Sequence, residues 1–234
     1  MEKVLYILWR KPDVDVETFG ARLRSQLAPQ LKKLGARGLK LNLSDATVVP
    51  AAGIRQIHTQ PPIEALAQVW VDSAIAHLRK PVDDAIAAHV DSFAAYLVTE
   101  SQPLRNEKHP PKAGDRTTGF AQLAFLKRPE KLTYAEWLDI WHNSHTHVAV
   151  ETQSNFEYIQ NVVVRALTPS APAIDAVVEE CFPAAAMADP YVFFDASGNE
   201  AKFKRNLARM MDSVNRFIEL GRLDVTPTSQ YTMF

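Results

Sequence analysis

The chain predicts an α+β fold: two ferredoxin-like βαββαβ repeats packed as a pseudo-dimeric α/β barrel. Three observations carry this expectation. Apolar, β-rich runs and segments of helical spacing follow one another in the order βαββαβ, and the order then recurs. A shift of 118 residues lays Phe19 on Trp137, Leu23 on Trp141 and Leu27 on His145. The runs VLYIL, FAQLAFL and VVVRAL are continuously apolar rather than alternating, as strands covered on both faces are. Two four-stranded units, each with helices on one face, would bury their remaining faces against one another.

Each element has its own warrant. Lys3–Arg10 is an apolar strand ended by Lys11-Pro12-Asp13. Asp15 is placed to cap a helix in which Phe19, Leu23, Leu27 and Leu31 recur, with Pro29 expected to kink or break it. Strands follow at Leu39–Val49 and Leu66–Val71, the second after a loop over 51–62. Ser73–His89 reads as a helix interrupted at Pro81, and Phe93–Thr99 as the fourth strand. These make a first repeat over residues 1–101. The polar, Pro-rich stretch QPLRNEKHPPKAGDRT, within 102–117, is expected to be a linker.

A second repeat over 118–234 opens with the strand Phe120–Lys127, ended by Arg128-Pro129-Glu130. The segment TYAEWLDIWHNSHTHVAV, Thr133–Val150, is then a helix whose start is set by capping-box spacing between Thr133 and Glu136. At about 100° per residue it places Tyr134, Leu138, Trp141, His145 and Ala149 on one stripe, with Trp137 on a flank. His145 is therefore a polar group centred on an aromatic face, either lining a pocket or satisfied in a core. Glu157–Ala166 and Ala176–Phe182 are strands. Asn199–Leu220 is a helix with Phe203, Leu207, Met210, Met211, Val214 and Phe217 inward, and Val225–Met233 closes the pattern.

Composition narrows the function. In 234 residues, 47% are hydrophobic and 23% charged, and the net charge is −1, so neither nucleic acid nor an anionic membrane is an expected partner. A single cysteine, Cys181, allows no intrachain disulfide. The first residues lack a signal-peptide pattern, and no run reaches the roughly 20 apolar residues of a membrane helix; a cytoplasmic protein is expected. Of His142, His145 and His147, only the first two share a helix side and no nearby carboxylate completes a set, so no metal site is expected. No phosphate loop, dinucleotide fingerprint or nucleophile motif is present.

The segment FLKRPEKLTYAEWLDIWHNSHTHVA resembles the EthD family of dimeric α/β-barrel proteins. In that family a strand ends in basic residues and Pro, and an aromatic precedes a His by four. Here His145 matches the His and Trp141 the aromatic, while Thr146-His147 stands where the family often has Gly-Pro. The strands FEYIQNVVV and IDAVVEECF are similar to the family's second and third strands, with Tyr158 and Glu179 on commonly polar or aromatic positions. The first half matches in architecture only, since Leu27 occupies the His position. The resemblance implies a barrel that handles small, largely apolar molecules, in a superfamily that also holds cofactor-free monooxygenases, muconolactone isomerases and haem-handling proteins.

The expected function is therefore a cofactor-free proton transfer, as in an isomerase, cyclase or dehydratase, on a small apolar, aromatic or polyketide-like compound. His145 and Glu179 would act as acid and base, and Trp141, Tyr158, Asn161 and Trp137 would shape the substrate site. Glu179 and Glu180 face opposite sides of their strand, and parity does not choose between them; the resemblance alone favours Glu179. The alternatives are a non-catalytic ligand-binding or structural barrel, and less readily a haem protein or monooxygenase. Association of two chains through helix faces stays open.

Overall fold

Alternate residues of each strand face two environments, and along most of the strands both are covered. The computed structural model describes residues 1–234. The elements are β1 (Glu2–Trp9), α1 (Val16–Arg22), α2 (Ala28–Lys33), β2 (Gly38–Leu43), β3 (Ala65–Val71), α3 (Ala76–His89), β4 (Ser92–Leu104) and β5 (Phe120–Leu126). There follow α4 (Tyr134–Asp139), α5 (Thr146–Thr152), β6 (Glu157–Ala166), β7 (Ala176–Phe182), α6 (Pro190–Phe193), α7 (Glu200–Phe217) and β8 (Asp224–Thr232).

The expectation of two ferredoxin-like βαββαβ repeats is corrected here. The eight strands form one closed antiparallel β-barrel in the order β1-β3-β2-β8-β5-β7-β6-β4, with few helices around it. Hydrogen bonds join β2 to β8 and β4 to β6, where the expectation placed only the packing of two separate faces. The physical reason is the strand edge. An open sheet leaves a row of backbone N–H and C=O groups unpaired, and closure removes both edges at once.

Inward side chains of the barrel divide by polarity. Along β1, Lys3 is followed by Leu5, Ile7 and Trp9, and the last three join Leu66, Tyr96, Leu123, Phe125 and Val177 in an apolar cluster. Lys3 belongs to the polar part: its Nζ donates to Asn161 Oδ1 at 2.7 Å and also meets Glu100. The outward residues Val4, Tyr6 and Leu8 pack under Phe19, Leu23, Leu27 and Leu31.

Both helical segments with a four-residue apolar spacing contain a wide turn. Leu23–Leu27 and Ile140–His145 are π-helical. Side chains four apart drift by about 40° per step on an α-helix, and a π turn takes up that drift. This is why Phe19, Leu23, Leu27 and Leu31 are all buried, and likewise Trp137, Trp141, His145 and Ala149. Tyr134, expected on the second stripe, is 52% exposed instead. Pro29 directly follows the π turn, with helical backbone at Leu27 and Ala28 before it, so the helix widens there rather than breaking. Pro81 does not interrupt α3, which runs through it. The strand expected over 39–49 stops at Leu43 and gives way to 3₁₀ turns over Ala46–Ile54. No helix is long and apolar enough to cross a membrane.

Candidate functional site

A cavity of about 330 Å³ lies between α7, the Ile140–His145 turn and the outward face of β5, β6, β7 and β8. That is the lower end of the range for small-molecule sites. Its walls are mostly apolar and include Trp141, Phe193, Phe194, Met210, Val214 and Phe217. Its polar groups are few: Gln56, Gln122, His145, Gln153, Tyr158 and Glu180.

The sheet supplies a polar row. Tyr158 on β6 is paired with Glu180 on β7, and Glu180 with Gln122 on β5, so the three side chains lie side by side on one face. Glu180 is buried, with 7% of its surface exposed, and accepts one hydrogen bond from protein, from Asn155 Nδ2 at 2.9 Å. Burial pushes its carboxyl up to about 7, against a small opposing effect of Asn155. Tyr158 Oη accepts from Trp141 Nε1 at 3.1 Å. Burial, with the Glu180 charge nearby, holds that phenol above its ordinary value.

The π turn and α7 supply the rest. His145 Nδ1 shares a hydrogen bond with Ser213 Oγ at 2.9 Å, and its ring lies 4.6 Å from that of Phe217. Burial, helped by the Arg216 charge, lowers His145 to about 4, so the imidazole is neutral at pH 7. Trp141 lies in the wall stacked on Phe217 and tilted against Trp137. Thr146 Oγ1 donates to the Trp141 carbonyl at 2.9 Å, beside the bond that the same oxygen accepts from the Thr146 backbone N–H.

The residues expected from sequence divide in two. His145, Trp141 and Tyr158 line this cavity. Trp137 is buried behind Trp141 and donates to the Phe217 carbonyl at 3.0 Å, so it supports the wall without lining it. Glu179 and Asn161 point into the barrel. Glu179 accepts from Asn42 at 2.6 Å, Gln230 at 2.8 Å and Gln68 at 2.9 Å, and pairs with Lys40 at 3.3 Å. Burial alone would raise its carboxyl, but Lys40 and the amide donors outweigh that and hold it low. Asn161 bonds Lys3 and the Val177 carbonyl, at 2.7 and 3.1 Å. The structure thus brings Glu180, not Glu179, into the cavity with His145.

Sequence reasoning missed Gln122, Gln153, Ser213 and the Phe193-Phe194 wall. Ser213 carried a signal: it is a small polar residue between Met210 and Phe217 on a buried helix stripe whose other polar member is Asn206. No group of three or more His, Cys, Asp or Glu side chains is arranged to hold a metal ion.

No protein-family model matches the chain, and no curated protein matches it in sequence. Solved structures do match. An anthrone oxidase-like protein superposes with a TM-score of 0.56 at 9% identity, over 99% of this chain and 92% of that one. Two proteins each described as a "putative monooxygenase" are also similar. One, from Lactobacillus acidophilus NCFM, has a TM-score of 0.45 at 9% identity, over 99% and 96% of the two chains. The other, from Fusobacterium nucleatum subsp. nucleatum ATCC 25586, has 0.49 at 10%, over 100% and 92%. The likeness to the anthrone oxidase-like protein is one of fold. None of the three places the chain in the EthD family.

Proposed function

We propose that the chain binds a small ring ketone or related aromatic compound in the cavity and moves a proton on it, with Glu180 as the group that takes and returns the proton. The observation that carries this reading is a single buried carboxyl, held by one amide beside a tyrosine, in a cavity whose walls are mostly apolar. A carboxyl near 7 is divided between its acid and its base form at neutral pH, which suits transfer in both directions. Glu180 as carboxylate takes a proton from a carbon next to the carbonyl; the C–H pair becomes the enolate. The Tyr158 hydroxyl lies on the same row and donates to the enolate oxygen. Glu180 then returns the proton to a second carbon, giving an isomer, or to a departing hydroxyl, giving water and an alkene. His145, neutral and tied to Ser213, contributes a hydrogen bond at the apolar wall rather than the proton itself. The name of the anthrone oxidase-like neighbour, which refers to a fused-ring ketone, supports the same substrate class.

The test uses 2-tetralone, a fused-ring ketone whose C1 protons are acidic. In D₂O the chain should speed loss of the C1–H signal, followed by proton NMR. Glu180→Gln should still bind the ketone, seen as a raised melting temperature, and exchange it at least about 100-fold more slowly, the lower end of a general-base contribution. Binding without accelerated exchange, or full exchange by the variant, would overturn the reading.

A further inference from the structure

Tyr158 and Glu180 each take a hydrogen bond from the protein, whereas Gln122, the third member of their row, takes none. On β5 the side chains of Gln122, Ala124 and Leu126 line the cavity, while Leu123 and Phe125 turn into the barrel. Gln122 is half-buried, and neither atom of its amide is among the polar atoms shut away without a partner, so both keep open surface. Its partner across the strand pair is Glu180. Side chains so paired stand about 5 Å apart at Cβ, within reach of a bond, yet Glu180 accepts only from Asn155. The Gln122 amide is therefore free to meet a ligand, in a cavity whose walls are mostly apolar.

We infer that Gln122 is a specificity-determining residue, whose amide hydrogen-bonds a second oxygen of the ligand on the side of Glu180 away from the ketone. This deepens the proton-transfer reading given above and rests on it. Tyr158, Glu180 and Gln122 follow one another across β6, β7 and β5, so Tyr158 and Gln122 flank Glu180 at one strand spacing, about 5 Å, on either side. With the ketone oxygen at Tyr158 and the carbon that gives up its proton at Glu180, the ring system continues towards Gln122. A carboxamide both donates and accepts, so it serves a hydroxyl or a second carbonyl there. Because the amide keeps open surface, a ligand lacking that oxygen leaves it to water rather than stranding it. A plain ring ketone is therefore still bound and turned over, and an oxygenated one is preferred by the net gain of one hydrogen bond. The substrate class narrows to a fused-ring ketone carrying a second oxygen beyond the reacting carbon.

Exchange in D₂O at C1 of 2-tetralone, 7-hydroxy-2-tetralone and 6-hydroxy-2-tetralone tests this. The C7 hydroxyl lies on the C1 edge of the ring system, beyond C1 from the ketone; the C6 hydroxyl lies on the opposite edge. Each rate is divided by that ketone's own rate in buffer, which removes the effect of the hydroxyl on C–H acidity. The wild-type chain should accelerate the 7-hydroxy ketone about fivefold more than 2-tetralone, as one neutral hydrogen bond allows, and the 6-hydroxy ketone no more than 2-tetralone. Gln122→Met should bring the 7-hydroxy ketone within about twofold of 2-tetralone, while leaving the 2-tetralone rate and its pH profile unchanged. Gln122→Ala, which removes the amide without adding a long side chain, should behave alike. No gain for the 7-hydroxy ketone, an equal gain for both isomers, a gain that survives the substitutions, or an equal slowing of all three ketones would overturn the assignment of Gln122 and leave the proton-transfer reading standing. If the wild-type chain accelerates none of the three, the proton-transfer reading falls and this inference with it.

Discussion

Glu179 and Glu180 are neighbours in sequence, yet one carboxyl is held low by a lysine and three amides inside the barrel, and the other is raised to about 7 under a helix. The raised one makes stability depend on pH in a definite direction. Between its ordinary value of 4.5 and about 7, the unfolded chain binds fewer protons at this position than the folded chain. Stability contributed here is therefore full below about 4.5 and is lost as pH rises through about 7. Ionising the buried group costs on the order of 3 kcal/mol. Glu180→Gln removes that dependence. Its stability relative to wild type, from urea unfolding at several pH values, should rise by about that amount from pH 4 to pH 8. The opposite effect of His145, whose lowered value takes stability away as pH falls from 6.5 towards 4, is common to both chains and cancels. A difference that stays flat with pH would show that Glu180 titrates normally. This pair also marks how much of the site was legible. His145, Trp141 and Tyr158 stood out as aromatic or ionisable groups at informative spacing. The choice of carboxylate did not, because Val177 and Val178 flank both parities with equally apolar neighbours and the barrel covers both faces of the strand.

Among the helical elements, the segment Tyr134–Thr152 is the one the sequence described most fully and still described with the wrong pitch. Its capping box is present as expected, and its buried stripe is Trp137, Trp141, His145 and Ala149. A uniform 100° rotation admits Tyr134 and moves Trp137 to a flank. The strict four-residue spacing of the apolar and aromatic positions was the available clue to a wide turn, and the same spacing at Phe19, Leu23, Leu27 and Leu31 accompanies the same turn. A π turn is one extra residue in an α-helix. Deleting the exposed Asn143 should therefore convert Ile140–His145 to regular helix, with the stripe then spaced four, three and four, which an α-helix accommodates. The deletion variant should stay folded by circular dichroism, with a melting temperature within about 5 °C of the parent, a change of roughly 1–2 kcal/mol. It should also lose affinity for ring compounds, because the turn that carries Trp141 and His145 into the cavity wall is gone. Global unfolding of this variant would mean that the wide turn serves packing rather than the cavity.

At the scale of the whole molecule, the positions of most strands and their assembly into a barrel were legible, and the hydrogen-bonded seams that close eight strands into one sheet were not. Strand propensity locates a run such as Glu157–Ala166; it is silent on which backbone edge that run meets, and the β4–β6 and β2–β8 seams are made by backbone groups that every residue carries. The clue lay in polar residues that a face-to-face apolar packing could not have hidden. Asn42, Gln68, Glu179 and Gln230 come from four different strands and converge on one point inside the barrel, with Lys40 and Glu157 beside them. A buried network of this kind ties the strands on both sides of the β2–β8 seam together, and its cost falls heavily on whichever charge is left alone. Lys40→Met strands two carboxylates, Glu179 at 3.3 Å and Glu157 at 3.8 Å from the lost ammonium, and should cost about 3–5 kcal/mol in denaturant unfolding. Glu179→Gln in the same chain removes one of the stranded charges while keeping the shape and an acceptor for the surrounding amides. The double variant should recover at least about 1 kcal/mol of that loss, a coupling well outside the additivity of independent sites. Strict additivity of the two substitutions would mean that Lys40 and Glu179 do not act as a pair, and that the barrel is held closed by its backbone seams alone.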